Sequence, residues 1–184
     1  MFIDTHCHIS KEYYSDIDFI LEGNIKADVN PIIISSSTPQ DLKETLSLLA
    51  TYSNLYASIG YHPEVADSIT DDDLKFLEEH LKNKQVVAIG EIGLDYYYTK
   101  QNRDKQKKLF EQQLQLAEKY HLPVVIHSRD ATNDTIETLK KYKVIGSIHC
   151  FSGSLETAKE YLAMGYYLGI GGVVTFKNSK LKET

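Results

Sequence analysis

An α/β fold built round a parallel sheet is what this sequence predicts, on three observations. Short apolar runs alternate with longer stretches of helical period. Several of those runs are unbroken Val/Ile segments, as expected of strands buried on both faces. No internal repeat, low-complexity tract or Pro/Gly-rich linker divides the 184 residues, so a single domain spans 1–184.

Taken in order, the strand segments are residues 1–4, 31–35, 55–60, 86–90, 123–127, 144–150 and 166–174. Between the second and third, a helix over 41–52 places Leu42, Leu46 and Leu49 on one face. The next helix begins at Thr70, whose hydroxyl caps it. Asp71, Asp72 and Asp73 fill its first turn, where negative charge is favoured, and Leu74, Leu77 and Leu81 form its apolar stripe. Further helices cover 103–120, 133–142 and 154–164, the last with Ser154 as N-cap and Gly165 just past its C-terminus. Seven strands joined in this way approach a TIM-type (β/α)8 barrel, which typically takes about 250 residues. The expectation is therefore such a barrel lacking its last strand and helix, truncated before the eighth strand. Open edges at the first and seventh strands invite pairing, so the functional protein is expected to be longer.

Composition narrows the function classes. With 20 Lys+Arg against 26 Asp+Glu, the net charge of −6 argues against a sequence-independent grip on nucleic acid through a basic surface. Bound cations could still reverse the sign locally. Cys7 and Cys150 are the only thiols, too few for a disulfide framework, so a reducing, cytoplasmic location is expected. No apolar run approaches the roughly 18 residues of a membrane span, and the opening FIDTHCH is no signal peptide.

The residues that carry chemistry gather at strand ends. A side-chain period of two points His6 and His8 to one side and Cys7 to the other, which makes a metal half-site and leaves Cys7 as a packing residue. Glu91, His127 and His149 each follow an apolar strand, and His62 follows the run at 58–61. One acid or histidine so placed would more often be a helix cap or a satisfied core residue. Four strands ending in His or Glu, besides the HxH, mark the C-terminal rim where barrel active sites lie. His80 and His121 fall in or just after helical, charged segments and read as surface residues. Four histidines and a carboxylate suit borderline ions such as zinc, manganese or iron better than calcium or magnesium, without separating Zn, Mn, Mg, Fe and Ni. Five ligands exceed what one catalytic ion keeps, so two divalent ions on the order of 4 Å apart are expected.

Six segments carry a family resemblance: FIDTHCHI at the N-terminus, IGYHPE at 59–64, AIGEIGLDYYY at 88–98, PVVIHSRDA at 123–131, IHCFSG at 148–153 and LGIGGVVTFKN at 168–178. In this order and spacing the chain resembles the TatD family of metal-dependent deoxyribonucleases, within the wider amidohydrolase-like metal barrels. The resemblance implies that His6 and His8 bind one ion, His127 and His149 the second, and Glu91 bridges them. It also implies that His62 helps to position or protonate substrate. Arg129 can pair with a phosphate through its fork of donors, or equally with Asp130 or another acid in an ordinary loop salt bridge. Tyr96, Tyr97 and Tyr98 can stack on a base or pack under the loop.

There are departures from the family pattern. An aspartate expected from an ETDAP-like segment at the eighth strand is not met before the chain ends at Lys182, Glu183 and Thr184. Glu183 and Thr184 echo the start of that motif but follow 177–180 too closely for a helix and strand to intervene. Ser10 stands where the family commonly has Asp or Asn.

The expected function is hydrolysis of DNA phosphodiesters as a 3′-to-5′ exodeoxyribonuclease, by a water activated at the binuclear centre, with Glu91 and His62 catalytic and Arg129 and His62 binding substrate. The expected partner is DNA, as single strands or frayed ends, with no membrane association and a monomer for a full-length chain. Amide or ester hydrolysis, such as D-aminoacyl-tRNA deacylation, is the alternative within enzymes. A metal-binding scaffold with impaired catalysis is the alternative outside them.

Overall fold

The computed structural model describes residues 1–11, 13–98, 101–179 and 181. Its strands are β1 (Phe2–Cys7), β2 (Val29–Ser35), β3 (Leu55–Ile59), β4 (Val86–Asp95), β5 (Val124–Arg129), β6 (Gly146–Ile148) and β7 (Tyr167–Leu168). The helices are α1 (Ile17–Lys26), α2 (Pro39–Thr51), α3 (Asp71–His80), α4 (Arg103–Tyr120), α5 (Thr132–Leu139) and α6 (Leu155–Ala163), with short 3-10 turns at Pro63–Val65 and Gly172–Thr175. The strands form one sheet in chain order, β1 to β7, and every neighbouring pair is parallel. Sequential parallel strands linked by helices are the winding of a TIM-type barrel, as the alternation of periods predicts.

Ile32, Ile34, Leu55, Ile59, Ile89, Ile92 and Ile126 from the sheet are fully buried, together with Leu42, Leu49, Leu77, Phe110 and Leu114 from the helices. Each such side chain contributes about 1.5–3 kcal/mol by leaving water. Caps set the helix starts. Thr70 and Asp73 exchange side-chain and backbone hydrogen bonds in a capping box at α3, and Thr38, Asp16 and Ser154 cap α2, α1 and α6.

Several boundaries differ from the sequence expectation. Helix α1 is additional, and its Ile17 and Leu21 are buried while Ile20 packs against the core. Strand β1 runs on through His6 to Cys7, which pairs with Ile34. Strand β4 continues past Gly90 to Asp95, so Glu91 lies within the strand and not after it. His127 likewise lies inside β5. Strands β6 and β7 are shorter than expected, and residues 172–175 form a 3-10 turn.

The long β4 depends on two glycines. A Cβ at Gly90 would come within 2.6 Å of the Val125 Cβ, and one at Gly93, where φ is +144°, within 2.0 Å of the His127 carbonyl oxygen. Glycine at both positions lets β4 lie close against β5, which brings Glu91 beside His127. Lys180, Lys182, Glu183 and Thr184, including the echo of the ETDAP-like motif, lie outside the described residues. Among the described residues, no helix is long and apolar enough to cross a membrane.

Candidate metal centre

The centre is assembled around one buried carboxylate. Glu91 is 5% exposed, and its backbone N–H donates to the Ser36 carbonyl at 3.1 Å. Its Oε2 faces the His6 and His8 Nε2 atoms at 3.4 and 3.6 Å. Its Oε1 faces His127 Nδ1 at 2.9 Å and His62 Nε2 at 4.0 Å. The two oxygens of one carboxylate thus serve two different pairs of imidazoles, which is the arrangement of a bridging ligand.

Each ring is fixed by a further contact. The His8 Nδ1–H donates to the Ser35 carbonyl at 3.0 Å, which leaves the Nε2 lone pair toward the centre. His62 Nδ1 accepts from the Glu64 backbone N–H at 3.3 Å, so its proton sits on Nε2. His127 Nε2 meets the Asp95 Oδ2 at 2.9 Å, and Asp95, 1% exposed, also accepts from the Tyr97 and Tyr98 backbone N–H groups. Helix α4 holds the backbone beneath two of these groups. The Gln113 side chain accepts from the Tyr61 N–H and donates to the Tyr61 carbonyl, and Gln106 does the same for Asp95.

Electrostatics follow this geometry. Burial alone would raise the Glu91 pKa, but hydrogen bonds from His127, His6 and His8 outweigh it and hold the carboxyl ionised far below its usual range. The Glu91 hydrogen bond raises the His8 pKa. Burial acts to lower that of His127, and the Glu91 and Asp95 carboxylates overcome it and raise it. His62 and His149 are pushed down to about 4, chiefly by burial, and stay neutral.

The donor set fits divalent cations. His6, His8 and Glu91 form one group, and His62, Glu91 and His127 a second, with the ligand atoms of each within 4.8 Å of one another. The His6 and His8 Nε2 atoms are 3.1 Å apart, and two imidazole nitrogens at that distance can share only one proton. A cation at their focus would satisfy both lone pairs and the carboxylate together.

The residues singled out from sequence fall as follows. His6, His8, Glu91, His127 and His62 converge. His149 lies against the centre with its ring stacked on His6 at 3.6 Å between centroids, and it joins neither donor group, where His62 takes the place beside Glu91 and His127. Arg129 is exposed, with its guanidinium 4.0 and 4.8 Å from the Tyr97 and Tyr98 ring centroids. Among the described residues it makes no ion pair with Asp130. Tyr96 packs inward and donates to Asp134 at 2.7 Å, while Tyr97 and Tyr98 are exposed. Cys7 is half-buried, and burial and Asp4 push its thiol up to about 12, as suits a packing residue. His80 is half-buried, its ring against Phe76 and its Nδ1–H donating to the Phe76 carbonyl, which corrects the surface reading, and His121 is exposed at the end of α4.

Sequence reasoning missed Asp95, Gln106 and Gln113. A signal for Asp95 existed: it stands four residues after Glu91, and a period of two along an extended β4 puts both on one side. The glutamines show no such signal, because they sit at polar-looking positions of a helix and only the fold buries them.

A family model described as TatD related DNase matches residues 3–184, and the chain belongs to this family of metal-dependent hydrolases. It is 40% identical over 184 residues to a Bacillus subtilis protein called uncharacterized metal-dependent hydrolase YabD, covering 98% of this chain and 72% of that one. The crystal structure of YjjV, a TatD homolog from Escherichia coli, superposes with a TM-score of 0.88 at 34% identity, covering 99% of this chain and 73% of that one. A TatD family hydrolase from Entamoeba histolytica superposes with a TM-score of 0.84 at 27% identity, covering 92% and 64%.

Proposed function

We propose that this metal-dependent hydrolase is a deoxyribonuclease that removes nucleotides from the 3′ ends of single-stranded or frayed DNA with two divalent ions. The observation that carries the reading is the Glu91 carboxylate, with one oxygen turned to His6 and His8 and the other to His127 and His62. The family to which the chain belongs, described as related to a DNase, supports the substrate class.

His6, His8 and Glu91 would hold one ion and Glu91 and His127 the other, with His149 completing the second. Bound there, the ions supply Lewis acidity toward the phosphate and an activated water. The protein's own groups do the positioning. The buried, ionised Glu91 fixes both pairs of imidazoles. The His62 Nε2–H is directed into the centre and donates to an oxygen of the phosphate or of the leaving group. Arg129, held over two tyrosine faces, offers its donors to the strand's phosphates, and Tyr97 and Tyr98 give exposed rings on which a base can stack. The free thiols of Cys7 and Cys150 suit a reducing cytoplasm.

The test combines elemental analysis with hydrolysis. After chelation and reloading, about two ions per chain are expected in the wild type and a sharp loss in Glu91→Gln, together with stepwise shortening of 5′-labelled single-stranded DNA by the wild type alone. Intact DNA alongside turnover of an aminoacyl ester would replace this reading by ester hydrolysis.

A further inference from the structure

On the His8 and His62 side of the centre, a cavity of about 480 Å³ opens at the ends of β1, β2 and β3 and the start of α2. Its wall is unlike an anion site. Among the described residues no Lys or Arg lines it, and Asp41 and Glu64 do. A Glu64 oxygen is 3.7 Å from His62 Nδ1. The same wall holds Ser10 and Ser35, 9% and 3% exposed, whose hydroxyl oxygens are buried with no hydrogen-bond partner among the described residues. As residues lining the cavity, both serines carry hydroxyls that can donate to or accept from an uncharged polar ligand. Tyr13, two-thirds exposed, stands at the rim.

The other side of the centre has the opposite character. Beyond His127, at the ends of β4 and β5, lies Arg129 on its two tyrosine rings. In the order of the sheet, the acidic, hydroxyl-lined cavity lies at the ends of β1 to β3 and the arginine at the end of β5, with β4 between them.

We propose that the cavity is the subsite for an uncharged polar group, the sugar–base unit of the strand's terminal nucleotide, while the phosphates of the remaining strand leave over Arg129. This assignment rests on the phosphodiesterase reading. It gives a physical reason for attack at an end. A strand continuing through the cavity would set a second phosphate against Asp41 and Glu64 with no Lys or Arg among the described lining residues to pair it, whereas a terminal nucleoside brings a free hydroxyl and no further charge.

The experiment uses metal-loaded protein and 5′-labelled single-stranded oligonucleotides ending in a 3′-hydroxyl or a 3′-phosphate, with Gln40→Lys as the variant. Gln40 is exposed at the start of α2 and lines the cavity, so a lysine there adds a cation without disturbing the core, and thermal melting checks this. The wild type is expected to cut the 3′-hydroxyl strand at least about tenfold faster, a like-charge penalty of about one pK unit, and the variant to shrink or reverse that ratio. In a parallel binding titration, a nucleoside 5′-monophosphate is expected to bind at least about tenfold more tightly than the 3′,5′-bisphosphate, with the preference narrowed in Gln40→Lys. Equal cutting and binding of both forms by the wild type, or ratios unmoved by the lysine, would overturn the subsite and leave the nuclease standing. Neither cutting nor binding of any of these ligands would overturn the nuclease reading itself.

Discussion

Asp95 belongs to neither donor group, yet it bears on the state of His127, which belongs to one. Its carboxylate is held by the Tyr97 and Tyr98 N–H groups at 2.9 and 3.0 Å and meets His127 Nε2 at 2.9 Å. A proton kept on Nε2 leaves Nδ1 free to bind an ion beside Glu91, the usual pattern of a carboxylate behind a metal-binding histidine. Asp95→Asn, which keeps the shape and removes the charge, is expected to weaken metal binding about 10- to 100-fold. A competition titration against a chelating dye measures this. Glu91→Gln removes the group common to both donor sets, so elemental analysis should find both ions reduced. At this scale much of the site was legible. The HxH spacing announces a shared face, and the acids and histidines after apolar runs announce a rim. What stayed hidden was set by folding: that β4 extends to carry Asp95, and that His62 rather than His149 stands within reach of Glu91 and His127.

Helix α4 is the element on which the centre rests. Gln113 and Gln106 are both fully buried, and each bonds the N–H and the carbonyl of one residue, Tyr61 beside His62 and Asp95 beside His127. Gln106→Leu would remove both of these bonds to the Asp95 backbone, and a loss of about 1–3 kcal/mol is expected in chemical denaturation. Because the same change removes the Gln106 support beneath Asp95, metal affinity should fall with it. Strand β4 offers a second case. A methyl at Gly93 would sit 2.0 Å from the His127 carbonyl oxygen in a backbone region that suits glycine, so Gly93→Ala should cost at least about 1–3 kcal/mol, read in the same experiment. Helices with strong caps and a clean stripe, such as α2 and α3, were readable from sequence because local chemistry decides them. Strand ends were not. The pairing that carries β1 to Cys7 and β4 to Asp95, and that stops β7 after two residues, comes from neighbouring strands distant in sequence. Helix α1 shows its cap at Asp16 and an apolar stripe at Ile17, Ile20 and Leu21, so it could have been read from the same kind of signal.

Across the whole molecule, stability should fall from the middle of the sheet toward its edges. Strands β3 and β4 lie between neighbours and are almost wholly buried, as is the first half of β5, whereas among the described residues β1 has one partner strand and is exposed from Phe2 to Thr5, and β7 pairs through two residues. Native-state hydrogen exchange should therefore show the slowest amides at Ile89, Ile92 and Ile126 and fast exchange along β1 and β7. The candidate metal centre changes this gradient in a specific way. His6 and His8 belong to the edge and Glu91 to the middle, so an ion held by all three ties β1 to β4 across the sheet. Any ligand that binds only the assembled site stabilises it by mass action, about 4 kcal/mol when its free concentration is 1,000 times its Kd. Reloading with divalent ions should slow exchange in β1 far more than in β5, chelation should reverse it, and Glu91→Gln should show neither effect. Uniform slowing over all strands, or none in β1, would mean that the ions bind elsewhere than at this cluster.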